Sequence, residues 1–281
     1  MKGLCFSGGG IKAAAHIGAL KALEEENIKF DCVSGASSGS IIATMYALGY
    51  SSDEMWKMFK KFAPKIKYYQ CGKILKLILG LVFEREIIID GLNSGKVIEN
   101  IIENITSNNN IYDIDEINMP LMIPMVDLQT GILYIASSKE NRAMLSDKVK
   151  YITDISVGKA VRASCSFPVV FSPCEYKDMK LVDGGTRENL PWKPLKEFGA
   201  EEVWGISFNT IFKKEDCCSN IIDSAIRSLE LQGRELAVYE KEGIDKLINI
   251  NVKKISLLDV KKAEWLYQIG YEQTKKQLRD Y

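Results

Sequence analysis

The stretch Gly35-Ala36-Ser37-Ser38-Gly39 constrains this chain more than any other. It reads G-x-S-x-G. An apolar segment, Phe30 to Val33, stands before it, and Ser40 to Leu48 behind it reads as a helix. Strand, tight turn and helix in that order put the central serine on a sharp bend, with its hydroxyl outward over a helix N-terminus. A side chain in place of either glycine would collide with nearby backbone or resist the strained dihedrals. Ser37 is therefore the candidate nucleophile, although many such pentapeptides are plain strand-to-helix turns.

Two further stretches bear on that choice. Ser7-Gly8-Gly9-Gly10-Ile11-Lys12 follows a strand-like Gly3-Leu4-Cys5-Phe6 and precedes a helix from Ala13 to Glu26. Three consecutive glycines let backbone N–H groups converge at a helix N-terminus, where they stabilise negative charge. An acyl-transfer enzyme needs this for its oxyanion. A nucleotide cradle would need it too, but neither G-x-x-x-x-G-K-[ST] nor G-x-G-x-x-G is present. The second stretch is Asp183-Gly184-Gly185, after the apolar Met179 to Val182. Read in isolation, it is an ordinary D-G turn.

The chain holds one histidine, His16, in mid-helix. A helix directs that ring sideways into packing rather than toward the glycine loop. A Ser-His-Asp triad is therefore not expected, and a carboxylate held within hydrogen-bond reach of Ser37 is the expected base.

These blocks resemble the patatin-like phospholipases. Gly8-Gly9-Gly10-Ile11-Lys12-Ala13 is similar to the family's oxyanion loop, with Ala13 where the family usually has glycine. Gly35-Ala36-Ser37-Ser38-Gly39 is similar to its nucleophile elbow, and Asp183-Gly184-Gly185 to its D-G-[GA] acid. Arg162-Ala163-Ser164-Cys165-Ser166-Phe167-Pro168 is similar to its R-A-S-x-[AS]-x-P segment. The resemblance implies a Ser-Asp dyad without histidine. Ser37 would be the nucleophile and Asp183 the base, with Gly8, Gly9 and Gly10 as oxyanion donors. The implied substrate is a lipid ester, cleaved through an acyl-enzyme with no metal or cofactor.

The rest of the chain reads as one α/β domain over 1–281. Strands alternate with helices, so the expected architecture is three-layer α/β/α with a central, mostly parallel sheet. Such a sheet would place Ser37 and Asp183 at one carboxyl-end edge. The helix Ala13 to Glu26 reads as amphipathic, with Ala13, Ile17, Leu20 and Leu23 facing the core. Ser51-Ser52-Asp53 is an N-cap cluster. Leu121 to Val126 and Ile132 to Ile135 read as a strand pair, in which Pro124 favours an edge or bulge. Asn189 is a candidate to brace the Asp183 loop.

Residues 55–89 carry two readings. Aromatic residues and lysines interleave from Trp56 to Tyr69, and Ile74 to Phe83 is an apolar run too short to span a bilayer. They form either a lid or membrane-facing patch, or a helix packed on the core.

Lys plus Arg equals Asp plus Glu at 37 each, so nothing draws the whole chain toward nucleic acid or an anionic membrane. Any membrane contact would be transient and local. Seven cysteines, including Cys217-Cys218, form no C-x-x-C pair, and Met1-Lys2 leads straight into a strand. A cytoplasmic protein with reduced thiols and no signal peptide is the expectation. The competing functions are a soluble esterase or thioesterase, a catalytically weak lipid- or protein-binding module, and a phosphate binder.

Overall fold

A computed structural model describes residues 1–67, 69–80, 89–140, 148–211, 221–253, 255–256 and 259–280. The loop expected from Phe212 to Ser219, with Cys217-Cys218, lies outside these residues, as does most of the end of the 55–89 segment.

A nine-stranded sheet forms the middle layer. Its main path runs β5 (Val149–Ile152), β4 (Leu133–Ser137), β3 (Leu121–Asp127), β2 (Cys32–Gly35), β1 (Lys2–Phe6), β8 (Glu202–Ile211), β9 (Lys246–Lys253). From β3 to β9 all neighbours on this path are parallel. The hairpin β6 (Cys174–Tyr176) and β7 (Met179–Asp183) joins through β7, which pairs antiparallel with β3. The mostly parallel sheet expected from the alternation of elements is what forms.

The β3 strand carries the key to the site. Its first half pairs with β2, Val33 with Leu121 and Ser34 with Met122. Its second half pairs with β7, Met125 with Asp183 and Val126 with Val182. β2 runs parallel to β3 and β7 antiparallel, so their carboxyl ends meet head to head along one strand. Ser37 follows the end of β2, and Asp183 is the last residue of β7. This refines the expected arrangement: the acid arrives from the opposite direction, on an antiparallel strand, rather than from a parallel neighbour.

Pro124 lies at that junction, within a central strand rather than at the expected edge. A Cβ built on Gly184 would stand 2.2 Å from the Pro124 carbonyl oxygen, so Pro124 faces the gap between the ends of β2 and β7. A missing N–H costs no ladder hydrogen bond where neither neighbour is in register to accept one.

The helix α1 (Ala13–Glu25) also departs from expectation. Its buried residues run from Ala13 through Leu20 and include Ala22 and Leu23, so it is covered nearly all round. The α9 helix (Ala263–Leu278) packs across its outer side, where Gly18 meets the Tyr267 backbone and Gly270 meets Ala15. Small residues on that side let the two backbones approach, and the second layer of contact removes the need for a polar face. α2 (Ser38–Ala47) follows the elbow. α3 (Ser52–Phe62) starts at a capping box in which Ser51 and Glu54 bond each other's backbone. Next come α4 (Cys71–Leu79), α5 (Lys96–Ser107), α6 (Val157–Ser164) and α7 (Lys193–Phe198). α8 (Ile221–Glu240) completes the set.

The 55–89 segment divides. Met55 and Trp56 of α3 are buried, whereas Leu75 and Leu79 of α4 are exposed. Among the described residues, no helix is long and apolar enough to cross a membrane.

Candidate active site

Ser37 sits at φ +51° and ψ −129°, a conformation that costs a non-glycine residue about 1–3 kcal/mol. The surroundings enforce it. A Cβ on Gly35 would lie 2.3 Å from the Gly39 carbonyl oxygen, and one on Gly39 would lie 2.5 Å from that of Phe6. The Ala36 N–H donates to the Phe6 carbonyl at 3.1 Å, and the Ser37 N–H donates to Ser164 Oγ at 3.0 Å.

Ser164 belongs to the Arg162–Pro168 segment, whose function becomes plain here. Its Ser166 carbonyl accepts the Asp183 N–H at 3.1 Å, so this one segment holds both the elbow and the acid. Arg162 anchors it from behind, donating through Nε to the Ser94 carbonyl at 3.1 Å.

Asp183 is 2% exposed. Burial raises its pKa from 3.8 to about 7, against opposing pulls from the Ser37 hydroxyl and the Gly185 N–H. Its Oδ1 accepts the Gly185 N–H at 2.8 Å. Its Oδ2 is sealed from solvent and has no hydrogen bond of normal geometry.

The glycine loop faces both residues. A Cβ on Gly8 would lie 2.9 Å from Ser37 Cβ. Gly8 differs from the other two glycines, because its N–H is taken by Asn189: 3.0 Å to Oδ1 and 3.3 Å to the carbonyl oxygen. Gly9 and Gly10 have no such partner for their N–H groups among the described residues. Asn189 thus bonds the glycine loop rather than the Asp183 carboxylate, while its Oδ1 also crowds Gly185.

His16 is fully buried between Phe6 and Phe208, with ring centroids 5.3 and 4.5 Å away. Its Nε2 lies 2.8 Å from the Ser7 carbonyl oxygen, which can only accept, so Nε2 carries the proton. Burial lowers its pKa to about 4, and the neutral ring acts as a buttress under the glycine loop. This is the packed role expected of it.

Ser37, Asp183 and Gly8 to Gly10 open onto a cavity of about 560 Å³. Ile42, Met45, Met55, Phe59, Ile102 and Ile105 line its apolar depth. Asn209, Thr210, Glu230, Arg234 and Lys241 line another part, with Lys12 donating to Thr210 Oγ1 at 2.8 Å. Among the described residues, no group of three or more His, Cys, Asp or Glu lies close enough together to hold a metal ion.

Glu240, which touches the site's framework, carried no sequence signal of such a role. Glu240 is remote in the chain and stands in no motif.

Residues 4–196 match the patatin-like phospholipase family. The chain belongs to that family. Among its relatives, YqhO of Bacillus subtilis is 33% identical over 206 residues, covering 68% of this chain and 66% of that protein. The lysophospholipase NTE1 of Meyerozyma guilliermondii is 21% identical over 96% of this chain, which spans only 18% of NTE1. The patatin-like fold recurs in the crystal structure of VipD from Legionella pneumophila. The TM-score is 0.59 at 16% identity, over 99% of this chain and 67% of that one.

Proposed function

We propose that this protein is a lipid acyl hydrolase of the phospholipase A or lysophospholipase type, working through a Ser37-Asp183 dyad. The observation that carries the reading is the joint placement of a strained serine and a buried, partly unpartnered carboxylate at the mouth of an apolar cavity. A volume near 560 Å³ is in the range of small-molecule sites, and its aliphatic depth suits an acyl chain.

Ser37 Oγ attacks the ester carbonyl as its proton passes to Asp183 Oδ2. A carboxylate titrating near neutrality is matched to that transfer. The carbonyl π electrons move onto its oxygen, and the Gly9 and Gly10 N–H groups are placed to stabilise that charge. Collapse expels the alcohol, which takes the proton from Asp183 and leaves an acyl-Ser37 ester. Water, deprotonated by Asp183, attacks that ester, and the proton returns to Ser37 Oγ as the fatty acid leaves.

The reading is tested by hydrolysis of p-nitrophenyl esters of graded chain length, and of phospholipid and lysophospholipid, by the native protein and Ser37→Ala. Hydrolysis abolished in the variant, with long chains preferred, is the expected result. A preference for acetyl or butyryl groups would move the protein to the soluble esterases. Equal rates in both proteins would remove Ser37 from the chemistry.

A further inference from the structure

One buried carboxylate stands behind the glycine loop and takes no part in the mechanism above. Glu240, the last residue of α8, is 7% exposed. Its Oε1 accepts the Asn189 N–H at 2.7 Å, and its backbone carbonyl accepts the Trp192 indole N–H at 2.5 Å.

A buried carboxylate is costly unless its oxygens are bonded, and this one takes up the Asn189 backbone N–H. Burial raises the Glu240 pKa, opposed first by the Asn189 and Leu190 N–H groups and then by Lys193 and Lys241.

Glu240 is wired to the site through a single residue. Glu240 holds the Asn189 backbone, and Asn189 holds the Gly8 N–H through both its oxygens. The same Asn189 Oδ1 would stand 2.8 Å from a Cβ on Gly185, whose N–H holds Asp183. We propose that Glu240 is a positioning residue for the reaction, setting the glycine loop and the Asp183 turn through Asn189. The inference rests on the acyl-hydrolase reading given above.

The test compares native protein with Glu240→Ala and Glu240→Gln, using steady-state hydrolysis of a p-nitrophenyl ester and backbone amide hydrogen exchange at Gly8 and Asn189. Glu240→Ala leaves the Asn189 N–H without its acceptor. Its kcat falls roughly 10- to 100-fold while KM stays within about threefold. Glu240→Gln keeps an acceptor oxygen and recovers at least about tenfold of that loss. Amide exchange at Gly8 and Asn189 is at least about tenfold faster in Glu240→Ala than in native protein, and Glu240→Gln restores most of the protection.

A Glu240→Ala rate within twofold of native, or a Glu240→Gln no better than Glu240→Ala, overturns the proposal. The exchange arm needs no turnover. Unchanged exchange at Gly8 and Asn189 in Glu240→Ala overturns the positioning role even if no ester is cleaved, whereas absence of turnover in native protein strikes only the catalytic reading.

Discussion

The cavity has two unlike walls. One is built from the elbow, α2, α3 and α5, and its side chains belong to the main core: Ile42, Met55, Ile98 and Ile102 are each at most 4% exposed. The other is α8, which contributes Leu229, Glu230, Gly233, Arg234, Ala237 and Val238 to the lining. Among the described side chains of α8, only that of Glu240 is buried, while Leu231, Val238 and Tyr239 are exposed. The groups proposed to react all lie on or beside the wall that the core holds. Strain at Ser37 and an uncharged preference at Asp183 are both unfavourable states, and only a closely packed surround maintains them. Apart from Glu240, the α8 wall bears no such load, so it is free to differ in how it meets a ligand.

The largest effect expected of this division lies in chemistry. Ser37→Ala and Asp183→Asn each lower kcat/KM by about 10³-fold or more, and the double variant falls little further, because the two groups act as one unit. Steady-state kinetics on a long-chain ester measures this. Additive losses in the double variant would show that the two groups do not work together. The native rate rises with pH through about 7, since Asp183 must be ionised to accept the Ser37 proton.

Asp183 also predicts a stability effect of opposite sign to its effect on rate. Its folded pKa, about 7, stands above the ordinary 3.8, so the folded state binds the proton more tightly. Stability is fully retained below about pH 4 and declines as pH rises toward 7, by an amount on the order of 4 kcal/mol. Asp183→Asn removes that decline. Denaturant unfolding at pH 8 is expected to find the inactive variant more stable than native protein, and no gain would mean that the carboxylate is better solvated than its burial implies.

The sequence exposed the firm wall far better than the loose one. The elbow, the glycine loop and the Asp183 turn are short local motifs, and each needs particular residues at fixed spacing. The head-to-head meeting of β2 and β7 was not legible, because strand direction is set by pairing along β3 and leaves no mark on Met179 to Val182. The burial of α1 on both sides was written in its alanines and Gly18, but small residues alone do not say which helix covers them. Asn189 could be singled out as a turn residue, whereas its partner Glu240 looks like any acid at the end of a polar helix. A contact between positions so far apart in the chain has no local signature.

The smallest effects distinguish the walls most directly. Ile102→Ala on the core-held wall is expected to cost roughly 2–4 kcal/mol, from lost burial and the cavity left behind. Leu231→Asp on α8 is expected to change stability by no more than about 0.5 kcal/mol, since that side chain is 48% exposed. Both are read from chemical denaturation at one pH. The same Leu231 variant then sharpens the functional side of the contrast. An aspartate on the outer face of α8 repels an anionic bilayer and removes apolar contact with any bilayer. Hydrolysis of phospholipid in vesicles is expected to fall several-fold, while hydrolysis of a dissolved short-chain ester stays within about twofold. If both substrates were affected alike, α8 would be serving the cavity itself rather than the lipid surface, and the distinction between a wall for chemistry and a wall for the interface would fail.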